Sequence, residues 1–364
     1  MDMTLPTAAS SARRVPRGLT PASVVLGGTL LSLVGLSWDI QWHNDVGPDT
    51  FFTLPHLFLY AGSAAAGLAS LVVVLATTAA QRWGRPVDPI VGGRVVGVFG
   101  RTFAAPVGYL ISGCGAASFL LYGLWDQWWH GLYGFDAMIA SPPHIGLLLS
   151  ITVTMVGAVM VFATAREHRW GVLGMIVSTA ILVAFSMVTV IGLQAVSDGN
   201  EAVDVGVAFM CVLLLMMCAR ALDRPGGVLG VAVVVAGMQA VLWWFSPWAA
   251  EAYAVAVGLP LRDYLDDVPT LPGFIPMALV VVAGLVESLR RLPGWVVGAI
   301  GSTVLGVCAP LQRAWLHGND MPELSAVLVV AAVAVGFGAV AGFLGTRFGG
   351  LLRHLAPEKE TNHA

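Results

Sequence analysis

Two stretches of the chain set carboxylates and imidazoles at helical spacing. In Trp38 to Tyr60 (WDIQWHNDVGPDTFFTLPHLFLY), Asp39 and His43 stand four residues apart and His56 follows thirteen later. In Trp125 to Ile145 (WDQWWHGLYGFDAMIASPPHI), Asp126 and His130 repeat that spacing and His144 follows fourteen later. Trp38/Trp125, Trp42/Trp129, Gly47/Gly134 and Asp49/Asp136 fall in register with them, and one inserted residue then aligns Pro55/Pro143 with His56/His144. Residues i and i+4 share one helix face, so each Asp/His pair offers an oxygen and a nitrogen to one point. Proline favours helix starts, so His56 and His144 open the following helix and can close the set from a neighbour. Two nitrogens with one carboxylate suit copper, zinc or iron. Carboxylates that orient ligand imidazoles are expected beside such a site, and Asp49 and Asp136 are the candidates.

The elements that must carry these residues are membrane spans. The 364 residues are 57% hydrophobic and only 11% charged, with mean hydropathy +0.82, far from the roughly 25% charge of soluble domains. Apolar runs long enough to cross a bilayer fall near 22–42, 55–79, 103–125, 144–165, 171–194, 202–219, 227–247, 272–289, 294–312 and 325–346. The expected fold is an all-α polytopic membrane protein of about ten helices, with a parallel repeat of the first two hairpins. Residues 1–21 read as an N-terminal tail and 22–165 as the duplicated metal-site region, with repeats near 22–79 and 103–165. Residues 166–346 read as a six-helix membrane region and 347–364 as a C-terminal tail.

Basic residues give an orientation, because positively charged loops stay in the cytoplasm. Sixteen of the eighteen Lys and Arg residues fall on one side of this arrangement, and only Arg262 and Arg313 on the other. Both termini are therefore expected in the cytoplasm and both Asp/His stretches outside it, in a plasma (inner) membrane. Lipid is the expected surrounding, and a net charge of −3 without a basic patch argues against nucleic acid. The four cysteines lie in apolar stretches without a Cys-x-x-Cys pair, which suits small core residues. No phosphate-binding loop, nucleophile elbow or His-Glu-x-x-His occurs, and no catalytic acid, base or nucleophile is assigned.

The first stretch carries a resemblance. Asp39, Trp42-His43, Asp49-Thr50, Phe52-Thr53 and His56 resemble the C subunit of the copper membrane monooxygenases, the particulate methane and ammonia monooxygenases. The resemblance implies copper held by Asp39, His43 and His56 near the outer face. It also implies oxidation of a small apolar substrate and partner membrane subunits; a homo-oligomer is the other arrangement. By analogy Asp126, His130 and His144 would hold a second metal or complete a shared site. Two alternatives start from the same residues: copper handling or transport without redox catalysis, and a metal-free polar pocket for a ligand or partner. An aromatic belt of tryptophans with Asp and His at wet helix ends accounts for one copy, but a second copy in the same residue order is harder to reach that way. Three further sets read as ordinary structure. His317, Asp320 and Glu323 suit a solvated turn, Glu201 and Asp204 a helix N-terminus, and Glu287 an ion pair with Arg290 and Arg291.

Overall fold

The computed structural model describes residues 16–47, 49–134, 141–191, 200–265 and 267–355. Over these the protein is an all-α polytopic membrane protein, with ten spans long and apolar enough to cross a bilayer. They are α1 (Leu19–Asp45), α2 (Leu54–Arg82), α3 (Val107–Tyr133), α4 (Pro142–Ala163), α5 (Arg169–Ile191), α6 (Glu201–Leu222), α7 (Gly227–Val257), a broken span of α8 (Thr270–Phe274) and α9 (Leu279–Ser288), α10 (Gly294–Leu316) and α11 (Leu324–Arg353). The expected spans all occur, with bounds shifted by a few residues and several ends that run further. Helix α1 continues to Asp45, so Asp39 and His43 sit inside its last two turns. Helix α7 continues to Val257, ten residues beyond the expected end of its span.

One element was not expected. Residues 103–106, read as the start of the third span, form strand β2 (Phe103–Pro106), paired antiparallel with β1 (Val95–Val98) at the arginine-rich end of the bundle. Thr78 of α2 fixes this hairpin, its hydroxyl donating to the Ala104 carbonyl (3.2 Å) and accepting the Ala104 N–H (3.0 Å).

Helices α1 and α2 form one tight hairpin, α3 and α4 another. Small residues set the first crossing: a Cβ on Gly28 would lie 2.6 Å from the Gly62 carbonyl, and one on Gly62 2.5 Å from the Gly28 carbonyl. Close backbone approach of this kind is how membrane helices gain contact without a hydrophobic driving force. Nearer the Asp/His end the hairpins solve one contact in opposite ways. Gly35 of α1 admits Phe58 of α2, whereas Tyr122 of α3 is admitted by Gly146 of α4. Gly35 aligns with Tyr122 and Phe58 with Gly146, so the small and aromatic partners have changed places.

The second half holds the first hairpin in place. Trp38 lies among Phe58, Phe245 and Tyr253, with ring centroids 5.4, 6.1 and 5.8 Å away, and Trp42 packs on Tyr253 at 4.8 Å. The Ser37 and Ser246 hydroxyls bond at 2.8 Å. The break between α8 and α9 is satisfied from within, as backbone groups in a membrane must be. Gln239 donates to the Pro272 and Ile275 carbonyls (both 2.9 Å), and Gln312 donates to the Gly273 and Ile275 carbonyls (3.1 and 3.0 Å). The Met277 N–H donates back to Gln312 at 2.8 Å.

Candidate metal centre

Asp39, His43 and His56, with Asp49, and Asp126, His130 and His144 all line one cavity of about 370 Å³ between the two hairpins. Asp39 and His43 come from the end of α1, and His56 from the first turn of α2. Asp126 and His130 come from the end of α3, and His144 from the first turn of α4. Proline opens both second helices, Pro55 in α2 and Pro142 with Pro143 in α4. A fixed proline φ suits the first helical turn, where its missing N–H costs nothing.

In the first cluster His56 Nε2 lies 3.1 Å from Asp39 Oδ1 and 3.3 Å from Asp49 Oδ2. His43 Nε2 lies 3.4 Å from the same Asp49 oxygen. In the second, Asp126 Oδ1 lies 3.4 Å from His130 Nε2 and 3.5 Å from His144 Nε2, and the two Nε2 atoms are 3.4 Å apart. Asp39, Asp49 and His56 each offer a ligand atom, all mutually within 4.8 Å, and Asp126, His130 and His144 do the same. Asp49, read from the sequence as an orienting carboxylate, thus stands among the donor atoms. Its equivalent Asp136 lies outside the described residues. Burial pushes the Asp49 carboxyl above its ordinary range, against the opposing pull of His43 and His56.

All four imidazoles are anchored at Nδ1. That of His43 donates to the Asp39 carbonyl (2.9 Å), of His56 to the Thr50 carbonyl (3.0 Å) and of His130 to the Gly134 carbonyl (2.9 Å). His144 Nδ1 meets the Ser141 hydroxyl at 2.9 Å. A hydrogen bond at one ring nitrogen sets which nitrogen the other partner meets, and here every Nε2 is turned toward its cluster. The equivalent oxygens Asp39 Oδ1 and Asp126 Oδ1 are buried without a donor in hydrogen-bond geometry. Each faces imidazole Nε2 atoms instead, at 3.1 Å for Asp39 and at 3.4 and 3.5 Å for Asp126; a buried carboxylate needs a shared proton or a cation there. The donor set therefore fits a transition metal.

The cavity is layered. Leu36, Leu59, Phe119, Leu148 and Ile151 line it too, and each lies one to two helical turns deeper than the Asp or His of its own helix. Val188 of α5 completes this apolar part, and Arg262, from the α7–α8 connection, lines the cavity as well. Tyr60 stacks on His56 (6.1 Å) and contacts Phe119 of α3 (6.0 Å), bridging the two hairpins, while its hydroxyl donates to the Phe51 carbonyl (2.9 Å).

The remaining acidic and imidazole groups do other work. Asp204, read as a helix N-terminal acid, is buried and binds Arg313 of α10 through two bonds of 3.0 and 2.7 Å. This pairing was not legible in the sequence, because its partners stand more than a hundred residues apart. Glu287 pairs with Arg290 at 3.5 Å, as expected, and also accepts the Val228 N–H at 3.1 Å. His317 lines a separate cavity with Asp204 and Arg313, whereas Asp320 and Glu323 are exposed. No protein-family model, curated protein or solved structure matches this chain.

Proposed function

We propose that this integral membrane protein is a metalloprotein that holds copper in the Asp/His cavity and acts as a monooxygenase-like oxidoreductase on a small, largely apolar molecule at the outer face. One observation carries the reading: four imidazoles, each anchored at Nδ1, turn Nε2 toward two clusters of carboxylate oxygens, one half-buried and one largely buried. Asp39, His43 and His56, with Asp49, would hold one ion, and Asp126, His130 and His144 the other. Copper is favoured over zinc or iron by the resemblance of the first stretch to the copper monooxygenase C subunit. Bound copper would supply the redox chemistry that activates dioxygen. The chain supplies the rest: Asp39 and Asp126 balance charge, the anchored imidazoles fix the donor geometry, and the aliphatic floor holds an apolar molecule away from water.

Elemental analysis and electron paramagnetic resonance on protein purified without chelator test this. The expected result is copper in the wild type and its loss from the His43→Ala/His130→Ala double variant. Unchanged metal content in that variant, or none in the wild type, overturns the reading. The second outcome would favour a metal-free polar pocket, a reading that draws on the 3.1 Å Asp39–His56 pair, which already balances charge without an ion.

A further inference from the structure

The duplicated site is not symmetric, and the asymmetry is a guanidinium. Gly47 and Gly134 are equivalent, and both have positive φ (103° and 84°). Among the described residues, a Cβ on Gly134 would meet nothing within 4 Å, whereas one on Gly47 would collide with the Arg262 guanidinium. The second half of the chain delivers Arg262 to this point. Its N–H donates to the Asp45 carbonyl at 2.8 Å, and its guanidinium lies 5.7 Å from the Tyr264 ring centroid. The same connection is stitched to the end of α1 twice more. The Thr270 N–H donates to Gln41 Oε1 at 3.2 Å, and Asn44 Nδ2 donates to the Thr270 hydroxyl. Gln41 in turn donates to both carboxylate oxygens of Asp45 (3.0 Å each). The Arg262 main chain is therefore fixed, and the residue, half-buried, lines the cavity beside His43, Asn44 and Asp49.

A cavity with a guanidinium at one level and an aliphatic floor beyond a ring of metal-ligand donors is amphipathic along its depth. We infer that Arg262 is the specificity-determining residue of this cavity and that its ligand is a short amphiphile, with a carboxylate-like head on the guanidinium and an aliphatic tail on Leu36, Leu59, Leu148, Ile151 and Val188. The inference deepens the proposed function and rests on this cavity being the substrate site. Guanidinium suits the head because it presents paired donors matched to a carboxylate, and charge assistance roughly doubles the strength of each bond. The volume, about 370 Å³, falls in the range of small-molecule sites, which admits a tail of a few carbons. The tail would pass the Asp/His ring, which places its carbons, not its head, beside the donor atoms.

The test titrates hexanoate, hexan-1-ol and hexylamine into protein held in lipid nanodiscs, read by calorimetry and by the metal's paramagnetic resonance spectrum. Hexanoate is expected to bind about tenfold or more tighter than hexan-1-ol, an increment of one charge-assisted contact, and hexylamine weakest. Arg262→Gln should abolish the preference and leave metal content unchanged, while Arg262→Lys should keep part of it. Equal binding of the three compounds in the wild type, or an unaltered preference in Arg262→Gln, overturns the inference. Absence of metal with the preference intact by calorimetry sinks the copper reading and leaves this one standing.

Discussion

At the scale of single residues, the groups behind the ligands decide as much as the ligands do. His144 differs from the other three imidazoles in taking its Nδ1 partner from a side chain, the Ser141 hydroxyl. Ser141→Ala removes that partner without touching a donor atom of the cluster. Losses of about 10–100-fold in metal affinity are usual for such partners. The expected outcome is that drop at the second cluster alone, measured by competition with a chelator of known affinity. Asp49→Asn poses the matching question at the first cluster. If Asp49 Oδ2 is a donor, as its 3.3 and 3.4 Å approaches to His56 and His43 suggest, the first ion is lost or weakened while the second stays, as the metal-to-protein ratio will report. The sequence carried the identities and spacing of these residues but not the position of Asp49 among the donor atoms. Six residues beyond a helical His, across the turn at Gly47, spacing ceases to define direction. The Nδ1 anchors were hidden for a related reason, since three of the four are backbone carbonyls.

At the scale of elements, positioning depends on how closely backbones approach. Gly62→Val would drive a side chain into the Gly28 carbonyl and the Ser32 backbone. Overpacking of this kind costs about 1–3 kcal/mol. It should also separate α1 from α2, so the thermal midpoint and the first cluster's metal occupancy should fall together. The break between α8 and α9 makes a different prediction. Gln312→Ala strands the half-buried Gly273 carbonyl as well as the exposed Met277 N–H, so a cost of about 1–3 kcal/mol is expected, nearly all of it from the carbonyl. Denaturant titration of the solubilised protein would read it. Ten spans were legible in the sequence because apolar length alone defines them. Their irregularities were not: the β1–β2 hairpin follows an ordinary apolar segment, and the broken span shows only Pro272, Gly273 and Pro276 to mark it.

At the scale of the whole molecule, the two halves divide the labour. The first four helices bring the donor atoms, while α7 and the connection after it cover Trp38 and Trp42 and place Arg262. Nothing in the sequence tied Tyr253 or Arg262 to residues two hundred positions earlier, so the purpose of the second half was not legible. The charge distribution still makes a testable statement about sidedness. In a background free of native cysteines, a membrane-impermeant maleimide should label Asn319→Cys, at the Asp/His end, on intact cells. Asp88→Cys, at the arginine-rich end, should react only after permeabilisation. The reverse pattern would invert the assigned topology and put the cavity on the cytoplasmic side.

The exchanged pair of small and aromatic residues has a consequence for assembly. Two hairpins of related sequence invite wrong partnerships while the chain is being inserted, a known hazard of repeated units. If α1 took α4 as its mate, Gly35 would face Gly146 and leave a hole. If α3 took α2, Tyr122 would meet Phe58 where only one ring fits. Each correct couple fills its contact once, and each mismatched couple fills it either twice or not at all. The exchange thus works as a key cut differently for each copy, so that two hairpins carrying the same Asp/His set do not trade helices.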